Sequence, residues 1–263
     1  MKMIQSERIS VVTATLMLMG LALLTVLRSR CAVSDYAELL GVIFSSSEVM
    51  VGSIYGISGV SSSIIEVIGF AIPFLVLAFL AGLMLTKTLD TGTRFWYIIR
   101  YRSYRVWLLN SLFKITLKCL SVWTIYYASV LLFSLILSGA PEPLGEVFHY
   151  VNPNAIHSLS FETVILNQYL IGCTVSFVIA ASQYMLGIAL SNVSKAYICV
   201  SLSILMCSAL GMANIYNPLM MSRHSFVDDQ IAAIAPVITV GLLIMIGLAC
   251  MLLNLFLLRR KGI

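Results

Sequence analysis

The chain reads as an all-α polytopic membrane protein of six transmembrane helices with both termini cytoplasmic. Three observations predict this. Apolar residues make up 60% of the 263 positions and charged residues only 10%, against about 25% charged in soluble domains. The apolar residues fall into six runs free of Asp, Glu, Lys and Arg, most of them near the about 20 residues needed to cross the hydrocarbon. The cations lie almost entirely on one set of connections, which sets orientation. The whole chain, 1–263, forms one membrane domain, with no internal repeat.

The first run, Ile9–Leu27, has 19 residues, longer than the about 7–15 of a signal-peptide core, and "RSR" follows without a cleavage pattern, so it is a retained span. The second, Val67–Thr86, carries Pro73, which predicts a kink. Cys119–Ser138 is the third, Val164–Leu190 the fourth, Tyr197–Ala213 the fifth and Ile234–Leu258 the sixth. The fourth and sixth are long enough to tilt. The N-terminus, 87–118, 191–196 and the C-terminus hold thirteen of the sixteen Lys and Arg; the other connections hold Arg28, Arg30 and Arg223. That split places the termini inside.

The outer connection 28–66 is rich in Ser and Gly but contains "ELLGVIF" and "VMVGSIYGI". This is too apolar for a disordered linker and predicts short helices at the membrane surface. Residues 139–163 lack Lys and Arg and contain Pro141, Pro143 and Pro153. Residues 214–233 contain "NPLM" and "DD".

Several chemistries find no support. There is no G-x-x-x-x-G-K-[ST] phosphate loop, so the chain does not bind ATP by that route. His149, His157 and His224 all fall in outer connections and read as ordinary loop histidines, not zinc ligands. Ser58 in "GISG" resembles the G-x-S-G of rhomboid proteases, but no span offers the histidine base that such a serine requires. Cys119, Cys173, Cys199, Cys207 and Cys250 lie in or beside apolar runs and read as small buried hydrophobes, with Cys31 in a loop; no C-x-x-C occurs. No metal is expected. The spans hold no acid or histidine for an ion-coupled carrier. Their polar groups include Asn167, Gln168 and Gln183, which are candidates either for a translocation pathway or for hydrogen bonds between helices.

One segment gathers what the spans exclude. "TRFWYIIRYRSYRVW", Thr93–Trp107, holds Arg94, Arg100, Arg102 and Arg105, three tyrosines, Trp96 and Trp107. As a helix over Thr93–Phe113, it aligns Tyr97, Tyr101 and Tyr104 in one stripe. Anionic-lipid contact at a membrane surface is one reading; a docking surface for a soluble partner, built of arginine and aromatic rings, is the other.

This layout resembles the membrane subunit of type-two ABC exporters, the permeases of bacteriocin-immunity and antimicrobial-peptide export systems. The resemblance rests on the six spans, the basic start "MKMIQSER", the cytoplasmic element "TRFWYIIRYRSYRVWLL", the short "SNVSKAY" and the outer element "NIYNPLM…VDDQIAAIAP". It implies a coupling helix between spans two and three seated on a separate ATP-binding subunit. Arg94, Trp96, Tyr97, Arg100, Tyr101, Arg102 and Arg105 would form that contact, with Ser191–Lys195, and so Lys195, as a weaker second one. It implies no cofactor in this chain, with ATP and Mg on the partner subunit. It further implies a second permease copy or sibling, surrounding lipids and no nucleic acid, in a bacterial plasma membrane. The cargo would be an amphipathic peptide, lipid or hydrophobic small molecule. The alternatives are a non-transporting immunity or sensor subunit that binds a toxin or peptide and, with no convergent polar site to support it, an intramembrane enzyme.

Overall fold

The computed structural model describes residues 2–54, 64–89, 104–139, 142–151 and 161–209. Every regular element among them is an α-helix: α1 Lys2–Leu40, α2 Ser46–Ile54, α3 Ile64–Leu89, α4 Tyr104–Ser138, α5 Glu146–Val151, α6 Phe161–Ala189 and α7 Val193–Ala209. Three carry stretches long and apolar enough to cross a membrane: Val12–Leu40, Leu109–Ser138 and Gln168–Ala189. Shorter apolar stretches, Ala71–Lys87 and Val193–Met206, lie in α3 and α7. The expected sixth span and the C-terminus lie outside the described residues.

The expected boundaries hold for some helices and move for others. Ser138 ends α4 as anticipated, because Gly139 adopts φ 86° and its N–H returns to Leu135 O at 3.0 Å. α4 begins at Tyr104 rather than Cys119, so the end of the basic aromatic segment and the expected third span are one helix. Pro73 lies within α3, where it removes one backbone donor. The fourth and fifth spans become α6 and α7, separated by a turn at 190–192 in which Ser191 has φ 50°. Asn192 Oδ1 then accepts from the Lys195 N–H at 3.0 Å and caps α7.

α1 departs most from expectation. It continues thirteen residues beyond Leu27, through Arg28, Arg30 and Cys31, to Leu40. Charge ends a hydrophobic run without ending a helix, and the Ala, Leu and Glu residues that follow are good helix formers. The stop is Gly41 at φ 68°. The Gly41 N–H donates to Glu38 O and the Val42 N–H to Ala37 O, at 3.2 and 3.1 Å, the paired closure of a Schellman motif. At about 1.5 Å rise per residue, the 39-residue rod is nearly twice as long as the about 30 Å hydrocarbon layer is thick.

α3 sits at the centre, touching α1, α4, α6 and α7. Its buried Leu77, Ala78, Leu80, Ala81 and Leu85 join one core with Leu18, Ala22 and Val26 of α1, Trp123 and Tyr126 of α4, and Val175 and Ile179 of α6. Outward faces are also apolar. On α4, Leu109, Phe113, Leu117, Leu132 and Ile136 are exposed, the pattern of a helix surrounded by lipid. Several hydroxyls within the helices are satisfied locally: Thr25, Thr86, Thr124, Ser129, Thr174 and Ser176 each donate to the carbonyl four residues back at 2.7–3.0 Å, whereas those of Thr116, Ser134 and Ser201 find no partner among the described residues. The local bonds suit a solvent without hydrogen-bonding capacity.

Candidate functional site

The basic aromatic segment lies almost wholly outside the described residues. This covers Arg94, Trp96, Tyr97, Arg100, Tyr101 and Arg102. Arg105 belongs to the first turn of α4, with its side chain outside the description. The anchor of that turn is described: Trp107 is fully buried in the core. The second expected contact, Lys195, is exposed on the first turn of α7.

α6 carries the three polar candidates. The side chain of Asn167 lies outside the described residues. Gln168 and Gln183, at 2% and 0% exposure, are buried. With Gly172, Val175 and Ile179 they form one buried stripe at spacings of four, three, four and four. The glutamines are fifteen residues apart, or about 22 Å along the axis at the α-helical rise.

Their surroundings differ. Neither Oε1 nor Nε2 of Gln168 has a hydrogen-bond partner among the described residues. Gln183 Nε2 donates to Val193 O at 3.3 Å, linking α6 to the start of α7, while its Oε1 has no described partner. A buried unpaired amide group costs about 1–3 kcal/mol, so this stripe holds polarity that apolar residues of the same shape would not bring.

Between the glutamines, α4 and α6 approach closely. A Cβ on Gly172 would collide with the six-membered ring of Trp123. Trp123 stacks on Phe74 of α3, with centroids 5.4 Å apart at 18°. Small residues permit this approach, a common device between membrane helices. Nearby, Tyr127 Oη donates to Ile165 O at 2.7 Å, and Thr124 Oγ1 and Tyr169 Oη share a hydrogen bond of 3.0 Å.

A second polar centre was not anticipated. Glu48 on α2 is 3% exposed. Its Oε2 accepts from the Ser45 N–H at 3.0 Å, Ser45 Oγ accepts from the Glu48 N–H at 3.3 Å, and Oε1 accepts from the Phe148 N–H of α5 at 3.0 Å. Ser45-Ser46-Ser47-Glu48 is a capping box, a signal present in the sequence and passed over as loop composition. Ser29 Oγ of α1 completes this corner by donating to Val49 O at 2.7 Å.

The remaining expectations resolve more simply. Cys31 lies on α1 and is exposed, Cys119 is buried, Cys173 is half-buried and Cys199 is exposed; burial therefore does not hold for Cys199. Cys207 falls in the last turn of α7 with its side chain outside the description, and Cys250 lies outside the described residues. Among the described residues, no three His, Cys, Asp or Glu side chains gather to hold a metal, and His149 is half-buried on α5. Ser58, His157 and His224 lie outside the description. An apolar groove of about 380 Å³ runs between α1, α3 and α7, lined by Met17, Val76, Phe79, Leu83 and Tyr197 among others. No protein-family model, curated protein or solved structure matches this chain.

Proposed function

We propose that the chain is the membrane-spanning permease subunit of an ATP-driven exporter of the ABC type. One observation carries the proposal: a dense cluster of arginine and tyrosine, Arg94–Arg105, interrupts an otherwise apolar chain that has no phosphate-binding loop of its own. The cluster runs directly into α4 at Tyr104, so a push delivered there would pass along a continuous helix. In this reading the basic segment and the 190–192 turn face cytoplasmic ATPase subunits that hold ATP and Mg. Two permeases, identical or sibling, line a path for an amphipathic peptide, lipid or hydrophobic small molecule in a bacterial plasma membrane. Gln168 and Gln183 are the polar groups on the buried stripe of α6 that such a path would use.

Gentle detergent extraction of the full chain should retain a phosphate-loop ATPase. The double variant Arg102→Glu/Arg105→Glu should keep the membrane fold but lose the ATPase or its cargo-stimulated hydrolysis. Unchanged assembly, hydrolysis and transport would refute the coupling role.

A second reading, an immunity or sensor subunit that binds a toxin or peptide, draws on the α1–α2–α5 corner. Tyr36, Leu39 and Tyr150 are exposed there and Ile43 is 98% exposed, with the two tyrosine rings 6.1 Å apart. Exposed apolar patches of this kind mark contact surfaces. Ile43→Lys would abolish toxin protection under this reading and leave ATPase retention intact.

A further inference from the structure

The last turns of α3 and α6 and the first turn of α7 meet around one side chain. Gln183 is fully enclosed, and its Nε2 donates to Val193 O. A Cβ on Gly82 of α3 would come within 3.1 Å of that same Nε2 and 3.5 Å of Val193 Cγ1. One turn further along α6, a Cβ on Gly187 would collide with Leu85 of α3 and reach Val193 Cγ2 at 3.9 Å. Two glycines, one on each of two neighbouring helices, thus remove the bulk that would hold three helices apart.

The position of this junction gives it meaning. Leu85 lies four residues before the end of α3, after which the chain enters 90–103. Val193 follows the 190–192 turn directly. A methionine or leucine would fill the same space without burying an amide oxygen that has no described partner. What the amide adds is a directional bond from one helix to the backbone of the next.

We propose that Gln183 is a positioning residue that locks the end of α3 to the start of α7, so that these two helix ends move as one unit. In the permease reading, on which this role rests, these helix ends adjoin the two ATPase-facing connections. A displacement imposed on the end of α3 would reach the start of α7 through Gly82, Gln183 and Val193. Packed interfaces of this kind transmit displacement because they are not continuously deformable.

The test uses the full chain in lipid nanodiscs with spin labels on non-natural residues in place of Thr86 and Ser194, both exposed, which leaves the native cysteines untouched. Pulsed electron resonance should give one narrow distance distribution. Gln183→Met, and independently Gly82→Ala, should broaden it by about two-fold or more, because a helix end released from its tertiary bond samples local opening. Gln168→Met, the same change about 22 Å away on the same helix, should leave the width unchanged. Unchanged widths in Gln183→Met and Gly82→Ala, or equal broadening in Gln168→Met, overturn the positioning role. A purely structural role would lower the unfolding temperature without selective broadening at this pair. If the same preparation retains no ATPase, the permease reading falls and the coupling role falls with it, while the widths still report whether Gln183 locks the junction.

Discussion

The Glu48 corner and the glutamine stripe of α6 are both buried and polar, yet they handle polarity in opposite ways. At the corner, both carboxylate oxygens of Glu48 accept backbone donors, and Ser45 returns a bond to the Glu48 amide. On the stripe, Gln183 makes one interhelical bond and Gln168 none among the described residues. A saturated network rigidifies its surroundings and is costly to break; an unsaturated one adds little to stability and marks a place kept polar for another reason. The difference teaches that stability resides at the α1–α2–α5 corner and that the polar stripe is the region to probe for function.

Substitutions can break this contrast or sharpen it. The largest effect belongs to Glu48→Ala, which strips two backbone donors of a charged acceptor in a buried setting. It should destabilise the fold by about 2–4 kcal/mol, measured by reversible unfolding in mixed micelles; a loss below about 1 kcal/mol would mean that water replaces the carboxylate. Next is Gly172→Ala, whose added methyl meets the Trp123 ring. It should cost about 1–3 kcal/mol through overpacking and alter the Trp123 fluorescence, and a neutral result would show that α4 and α6 separate freely. Thr124→Val, which removes the shared bond with Tyr169 at an exposed position, should cost only about 0.6 kcal/mol, typical of interhelical hydrogen bonds in membranes. Gln168→Met comes last and sharpens the comparison most. It should be neutral or stabilising by up to about 1 kcal/mol while reducing transport or ligand binding. Clear destabilisation would instead reveal a structural partner and remove Gln168 from the functional stripe.

Much of the helical content could be read from the residues, and the misses have specific causes. The end of α4 at Ser138 was visible because an apolar run meets Gly139. The end of α1 was misplaced because hydropathy falls at Arg28, whereas the backbone continues until Gly41 supplies a left-handed residue. Both Gly41 and the Ser45–Glu48 capping box were readable as local signals, but composition masked them. The stripe was legible in part: Gln168 and Gln183 stood out as polar groups in apolar runs, yet nothing in their spacing told one from the other. The contacts of Trp123 with Gly172, and of Gln183 with Gly82 and Val193, join residues far apart in sequence and leave no local pattern.

The residues alone determined the apolar helices, their caps and the clustering of arginine and tyrosine at 94–105, because these follow from hydropathy, backbone preference and charge within a few residues of each position. Only the tertiary structure decided which polar groups find partners. Partnership depends on how closely two helices approach, and that distance is set at each crossing by whether a glycine or a larger side chain stands opposite.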